Sequence, residues 1–146
     1  MPNTCSVDIK NKLEAAGVGT FAATTGWAIY IGKEPELPND VIVIFDLPDG
    51  EALDGICTSI ESVANHRIVI YSRSESYTVA YQKAIEVEQT INRTKFTVGN
   101  VRYELVHRDF PPRFETYDEN NRAVWYQSYT ILRYIGSSSS SSSSSG

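Results

Sequence analysis

Residues 39–50 read N-D-V-I-V-I-F-D-L-P-D-G and contain five consecutive apolar residues, Val41 to Phe45. A short β-branched and aromatic run that is bounded by polar turn residues is typical of a strand buried on both faces. Pro48 and Gly50 predict a turn directly after it, because proline presets φ and glycine supplies a positive φ. We therefore expect the other elements to be arranged as layers around this strand.

Two segments before this strand have clear patterns. Thr4 or Ser6 can cap a first helix that runs to about Ala16, and Gly17 then ends the helix. Residues 27–31, W-A-I-Y-I, predict a strand. The acidic connection that follows is short, so we expect this strand and the central strand to pair in an antiparallel arrangement.

A second buried strand and a second helix are predicted further along the chain. Residues 67–73, R-I-V-I-Y-S-R, repeat the pattern of the central strand. Ser74 or Ser76 can cap the helix, which extends to about Ile91. Apolar and small side chains fall on one side of this helix and predict its buried face. They are Tyr77, Ala80, Tyr81, Ala84, Val87 and Ile91.

The later part of the chain has the alternation of a half-exposed sheet. Val101, Tyr103 and Leu105 alternate with charged residues, so these three side chains are expected to face the core. Two consecutive prolines then interrupt strand pairing. Residues 114–117 and 123–134 predict a hairpin that is joined by a polar turn.

Two segments are not predicted to be regular strands. Residues 51–66 leave a helix, which the spacing of Ile56, Ile60 and Val63 favours, and an irregular loop as alternatives. Residues 136–146 are two glycines and nine serines. Such a tract offers no apolar surface to offset the entropic cost of ordering, so it predicts a flexible tail, whether native or added.

The composition describes one ordinary globular domain over residues 1–135. The chain has 146 residues and a formal net charge of −5, so a polyanion is not attracted to the molecule as a whole. The order of elements predicts an α+β fold, with a mixed, mostly antiparallel β-sheet and two helices packed on one face. No membrane span and no signal peptide are expected. Cys5 and Cys57 predict free thiols in a reducing compartment.

We find no catalytic, cofactor-binding or metal-binding signature in the sequence. His107 and Asp109 could place a base near a carboxylate, but no motif supplies a serine or cysteine nucleophile. A group of acids around the predicted turn after the central strand could hold a hard cation, although a solvated loop is the simpler interpretation. These acids are Asp46, Asp49, Glu51 and Asp54.

A small nucleic-acid-binding module is one alternative function. Tyr71, Tyr103, Trp125 and Tyr129 could stack bases if they shared an open face of the sheet. The chain is acidic, however, and no cluster of lysine and arginine flanks these rings. A structural role for the protein is therefore the preferred interpretation.

Four segments occur in an order and spacing that resemble a family of phage tail terminator proteins, also described as minor capsid proteins of tailed bacteriophages. The first two are residues 27–35, W-A-I-Y-I-G-K-E-P, and residues 41–50, V-I-V-I-F-D-L-P-D-G. The others are residues 68–73, I-V-I-Y-S-R, with Tyr77 shortly after, and residues 110–112, F-P-P, followed by residues 118–122, D-E-N-N-R.

The resemblance implies a structural protein without enzyme activity or cofactors. It implies a homo-oligomeric ring, usually a hexamer, that caps the tail tube and offers a docking surface to the head-side neck or connector protein. The protein would be assembled in the host cytoplasm and lie at the head-proximal end of the tail, where DNA passes through without specific binding. Another head-to-tail joining protein, such as a neck or stopper protein, is the first alternative.

Subunits of such a ring are expected to meet at two polar loops and at the end of the second buried strand. Arg73 ends that strand, where its guanidinium could pair with a carboxylate of a neighbouring subunit. The alternative is that Arg73 caps the edge of its own sheet or is solvated. The full set of predicted interface residues is Asp46, Asp49, Asp54, Arg73, Tyr77, Asp118 and Arg122.

Overall fold

The computed structural model describes residues 4–52 and 61–136, which contain two helices and eight strands. In chain order these are α1 (Cys5–Ala15), β1 (Thr20–Phe21), β2 (Ala28–Ile31), β3 (Val41–Ala52), β4 (Glu61–Ser74), α2 (Tyr77–Ile91), β5 (Phe96–Val98), β6 (Val101–Arg108), β7 (Arg113–Tyr117) and β8 (Ala123–Gly136). The strands form one mixed, mostly antiparallel sheet in the order β1-β2-β3-β4-β8-β6-β5, and both helices pack on one face. The predicted α+β fold is confirmed.

β3 is buried on both faces over its first four residues, as its apolar run predicts. Ile42 and Ile44 belong to the main core beneath the helices, whereas Val41 and Val43 belong to a smaller cluster on the opposite face. The neighbouring strand β4 pairs Ile70 with Ile44. The two buried strands that the sequence predicts are therefore adjacent in the sheet.

The turn predicted at Pro48 to Gly50 is wrong, because β3 continues to Ala52. The pairing of β3 with β4 shifts register between Leu47 and Glu51. Proline has no backbone N–H to donate to a ladder, and an irregular step of this kind accommodates it within a strand. The long partner strand β4 thus outweighs the local turn signal.

The antiparallel pairing predicted for residues 27–31 is also wrong, because β2 and β3 are parallel. The connecting residues 32–40 return the chain to the end of the sheet at which β2 begins. There the side chains of Arg73 and Arg122 donate to backbone carbonyls of this connection. Both arginines lie far along the chain, so the pattern around residues 27–50 could not reveal the crossover.

β6 contains a bulge that changes which of its side chains face the core. Val101 and Tyr103 are buried as predicted, but Leu105 is 41% exposed. The pairing of β6 with β8 shifts register between Tyr103 and Leu105. A β-bulge inserts one residue and moves the following side chains to the other face, so Val106 takes the buried position.

The helix boundaries agree with the predicted caps. α1 begins after Thr4 and α2 begins after Ser76, whose Oγ accepts a hydrogen bond from the backbone N–H of Val79 at 3.2 Å. Gly17 has a φ of +78° and follows the C-terminus of α1. Glycine adopts this conformation without the steric cost that a side chain imposes, and it therefore ends the helix.

β8 lies between β4 on one side and two shorter strands that share its other edge. β7 pairs with residues 123–126 of β8, and β6 pairs with residues 129–135. The predicted hairpin of residues 114–117 and 123–134 is confirmed as β7 and β8. The two prolines lie in the segment between β6 and β7.

Several predictions fall on residues 53–60 and 137–146, which lie outside the described residues. They concern the serine tail, Cys57, Asp54 and the middle of the 51–66 segment, whose two ends belong to β3 and β4. Cys5 is a buried free thiol, and burial raises its pKa to about 11. Neither helix of the described chain is long and apolar enough to cross a membrane.

Candidate interaction surfaces

Arg73 is buried at the end of β4 and is only 2% exposed. Its Nη1 lies 2.7 Å from Glu34 Oε2 and 2.8 Å from the carbonyl oxygen of Pro35. Its Nη2 and Nε donate to further carbonyls between residues 36 and 39. Every one of these acceptors belongs to the connection between β2 and β3. Arg73 therefore fixes that connection within its own subunit.

Arg122 has a similar supporting position beside Asp118 at the β7–β8 turn. Its Nε lies 2.8 Å from Asp118 Oδ2, and its Nη1 donates to the carbonyl of Glu36 and to Asn39 Oδ1. The other carboxylate oxygen of Asp118 accepts the backbone N–H groups of Asn120 and Arg122. Partial burial acts to raise the pKa of Asp118, but the hydrogen bonds and charge of Arg122 outweigh it and lower this pKa.

The two buried arginines lie beneath an open cleft of about 330 Å³ at this end of the sheet. A second cleft of about 310 Å³ lies beside it, shares Glu34 and Asp118 with it, and is also lined by Phe45 and Tyr71. Acidic side chains surround both clefts. We call the surface formed by these acids the acidic end; they are Glu34, Glu36, Glu115, Asp118 and Glu119.

An aromatic patch lies next to the acidic end, between the start of α2 and β7. We define it as Tyr77, Tyr81, Phe114, Tyr117 and Trp125, whose ring contacts have centroid distances of 4.8 to 5.7 Å. The three tyrosines are 46%, 41% and 49% exposed, in chain order. The indole N–H of the tryptophan is buried without a hydrogen-bond partner.

The sequence predicts Tyr77 and Tyr81 on the buried face of α2, but both side chains are exposed. The other residues of that face, Ala80, Ala84 and Val87, are buried. The two tyrosines lie at the margin of the sheet, which β7 forms beside the start of α2. Helical periodicity identifies a face but does not show where the sheet beneath it ends.

The opposite face of the sheet carries a second group of rings. Tyr71 contacts Phe45 and Tyr126 at centroid distances of 5.8 and 6.1 Å, and Phe110 contacts Tyr126 at 5.6 Å. The guanidinium carbon of Arg113 lies 3.9 Å from the centroid of Phe110. Both described helices pack on the other face, so these rings belong to the face without helices.

The rings proposed for base stacking do not share one face. Tyr103 and Tyr129 are fully buried in the core beneath the helices. Trp125 packs against Tyr77 and Tyr81 of α2, and only Tyr71 belongs to the face without helices. The stacking surface that the nucleic-acid alternative requires is therefore absent from these four residues.

Among the other predicted site residues, Asp46 has a role inside the subunit. Asp46 accepts the backbone N–H of Ser6 at 3.1 Å and also its hydroxyl, and thereby holds the start of α1. Asp49 lies in β3. Within residues 4–52 and 61–136, no cluster of three or more histidine, cysteine or acidic side chains could hold a metal ion. The assignment of Asp46, Asp49, Asp54, Arg73, Tyr77, Asp118 and Arg122 to a subunit interface stays a prediction.

The fold and its exposed aromatic and charged surfaces define a small α+β subunit suited to protein–protein contacts. The chain belongs to the bacteriophage tail terminator protein family, whose model matches residues 12–135. The resemblance in the four sequence segments is therefore confirmed. No curated protein matches the sequence.

Among solved structures, the chain is similar to one from the "Virion of native gene transfer agent (GTA) particle". The TM-score is 0.63 at 14% sequence identity, and the match covers 89% of this chain and 94% of that chain. At this identity the likeness shows a shared fold.

Proposed function

We propose that this phage structural protein is a tail terminator subunit that forms a homo-oligomeric ring, caps the tail tube at its head-proximal end and docks to the head-side neck or connector protein. The family match over residues 12–135 is the observation that carries this proposal. The fold shared with a chain of a virion particle is consistent with it.

The distribution of exposed side chains supports a role in assembly. A ring subunit must contact two copies of itself and further proteins above and below, so it needs several separate contact surfaces. The aromatic patch and the acidic end are adjacent on one part of the molecule, and Tyr71 and Tyr126 lie on the face without helices. Aromatic side chains are enriched in protein interfaces, where they supply large apolar contact areas.

The predicted interface residues fit this proposal in two ways. Tyr77 and Asp118 lie at surface positions that a neighbouring protein can reach. Arg73 and Arg122 are buried beneath them and support the loops that carry the acidic end. We therefore propose direct contact roles for the first pair and supporting roles for the arginines.

The charge of the subunit suits a channel through which DNA moves. Contacts with phosphates are the main source of non-specific affinity for DNA. A subunit with a net charge of −5 provides few such contacts, so DNA can pass through the ring without specific binding. We assign the protein no catalytic step and no cofactor.

Native mass spectrometry and electron microscopy test this proposal together. The purified protein is expected to form one closed ring species, and the same rings should appear at the head-proximal end of tails in a tail fraction. A strictly monomeric protein at concentrations that saturate tails would contradict the ring. Rings found on the head-side connector of tailless heads would favour the neck or stopper alternative.

A further inference from the structure

We propose that neighbouring copies of this chain meet head to tail, with the acidic end of one subunit against a basic corner at the opposite end of the next. This inference rests on the proposed ring and names the surfaces that build it. We define the basic corner as the lysine and arginine side chains around α1 and the start of β5. They are Lys12, Arg93 and Lys95.

The basic corner is an ordered surface in which cations border exposed apolar groups. Lys12 Nζ lies 4.7 Å from the ring centroid of Phe96, and that ring stacks on Tyr103 at 4.5 Å. Lys95 is exposed directly beside Phe96. The apolar side chain of Val98 is exposed at the end of the same short strand.

Lys10 lies outside the basic corner. Its Nζ is 4.8 Å from the ring centroid of Phe21 in β1, the edge strand opposite β5, and 3.6 Å from Glu14 Oε1.

The acidic end and the basic corner lie at opposite ends of the strands. β8 begins directly after Arg122, which lines the acidic cleft, whereas Arg133 near its other end pairs with Tyr103. Tyr103 in turn pairs with Phe96 of the basic corner. Ten residues of β8 separate its start at Ala123 from Arg133, which corresponds to about 33 Å.

The separation of the acidic end from the basic corner determines which contact between subunits the charges favour. Two acidic ends facing each other across a two-fold axis would place like charges together, which opposes binding. An acidic end facing a basic corner pairs unlike charges and uses two different patches, so the contact is heterologous and repeats from copy to copy. A heterologous contact closes into a ring when its rotation divides a full turn.

The composition of each surface is that of an interface with a polar rim. On the acidic side, the exposed Tyr117 lies directly before Asp118, and on the basic side, Val98 lies near Lys95. Neither Glu119 nor Lys95 has an ion-pair partner among the described residues, and both are exposed. Apolar contact at the centre and complementary charge at the rim give an interface its affinity and its register.

A mixing experiment with two charge-reversed variants tests this arrangement. The acid-reversed variant combines Glu115→Lys with Glu119→Lys, and the base-reversed variant combines Arg93→Glu with Lys95→Glu. In each variant alone, the two reversed positions would face side chains of their own charge at every contact. We expect the protein concentration at half-assembly, measured by native mass spectrometry and light scattering at low salt, to rise about tenfold or more for each.

An equimolar mixture of the two variants is expected to form rings of the parent's mass at about the parent's concentration. Each acid-reversed copy can then alternate with a base-reversed copy, and every contact again pairs unlike charges. A matched control combines Gln82→Lys with Gln89→Lys on the exposed side of α2, which changes net charge away from both surfaces. It should assemble as the parent does and melt at the parent's temperature, as should both reversed variants.

Three outcomes would overturn the inference while the parent still forms rings: either reversed variant assembles normally alone, the mixture stays as dissociated as its components, or the control fails equally. Normal rings from the acid-reversed variant would instead assign the acidic end to a basic partner protein. If the parent protein itself forms no ring at any concentration, the proposed function fails and the inference fails with it.

Discussion

Arg73 Nη1 and Glu34 Oε2 lie 2.7 Å apart and join the end of β4 to the connection that precedes β3. The arginine is buried, whereas the glutamate side chain is 45% exposed. The remaining donors of the guanidinium are directed at backbone carbonyls of the same connection. Arg73 therefore helps to fix the crossover between the parallel strands β2 and β3, together with Arg122.

The first prediction is that Arg73→Glu destabilises the subunit itself. The change leaves the loop carbonyls without donors and places a second carboxylate beside Glu34. Buried acceptors that are left without donors each cost about 1–3 kcal/mol of unfolding free energy. Urea denaturation of the variant measures this, with Arg113→Glu, a change at an exposed arginine, as the control that should lose no more than about 1 kcal/mol. Unchanged stability of Arg73→Glu would support the interface hypothesis for this residue instead.

A second prediction concerns the central strand. Val43→Asp should prevent folding, because Val43 is buried between its strand partners Tyr30 and Tyr71 and an unpaired charge there would be desolvated. Circular dichroism and solubility provide the measurement. Leu37→Asp is the matched control, since Leu37 is 70% exposed and its replacement should be tolerated. A soluble Val43→Asp protein that melts cooperatively would refute the strand assignment.

The bulge in β6 leads to a third prediction, in which the adjacent residues Leu105 and Val106 respond differently to the same substitution. Val106→Asp should unfold the protein, whereas Leu105→Asp should keep the parent's melting temperature within a few degrees. The reason is that the register shift after Tyr103 moves residue 105 to the exposed side and residue 106 into the core. Thermal melting compares the two, and the opposite ranking would place the sheet in the register that simple alternation predicts.

The fourth prediction is a pH dependence that arises from His66. Burial, with a further contribution from the charge of Arg133, lowers the pKa of His66 below its ordinary value of 6.5. The unfolded chain therefore binds a proton at this histidine at a higher pH than the folded chain does. Folding stability is expected to fall as the pH drops below 6.5 toward the lower, folded-state pKa.

Replacement of each histidine separates this effect from general acid sensitivity. His66→Gln should reduce the pH dependence of the unfolding free energy between about pH 5 and 8, the range in which histidine titrates. Urea denaturation at several pH values measures this. His107→Gln should keep the parent's profile, because His107 is exposed. An equal change in both variants would show that the decline has another source.

The fifth prediction is negative. His107→Ala, Cys57→Ala and Asp109→Ala should each leave ring assembly intact, because we assign these residues no chemistry. Asp109 accepts hydrogen bonds from Ser128 and Thr130, so its replacement is expected to lower stability modestly and needs its own melting control. Loss of tail assembly by a variant that folds and forms rings normally would indicate an overlooked activity.

Features set by neighbouring residues could be predicted from the sequence. The buried run at residues 41–44, the cap at Ser76 and the β7–β8 hairpin all depend on side chains within a few positions of one another. Their patterns of apolar spacing and turn residues are complete in the local sequence. These elements therefore appear where they were expected.

Features that depend on distant residues could not be predicted in this way. The parallel crossover before β3 requires Arg73 and Arg122, which lie more than thirty positions later. The sequence predicts both arginines at a subunit interface, Arg73 from its place at a strand end and Arg122 from its polar loop, and it does not reveal that both are buried. A buried arginine that binds loop carbonyls has the same local sequence as an exposed one.

The exposed aromatic patch illustrates the same limit. Tyr77 lies on the apolar side of α2 by periodicity, and its exposure follows only from the position of β7 at the margin of the sheet. Trp125 and Tyr117 reach the patch from the two strands of a hairpin. No local signal marks residues from three elements as one surface.

The placement of β8 has a consequence for how newly made copies mature. This strand lies inside the sheet, between β4 and β6, yet it is the last described element along the chain. Until translation reaches residues 123–136, both flanking strands expose open edges that can pair with other chains. The subunit must therefore complete its sheet after most of it has been synthesised. A chain interrupted before residue 123 is expected to be a substrate for chaperones and proteases and to remain unable to enter a virion.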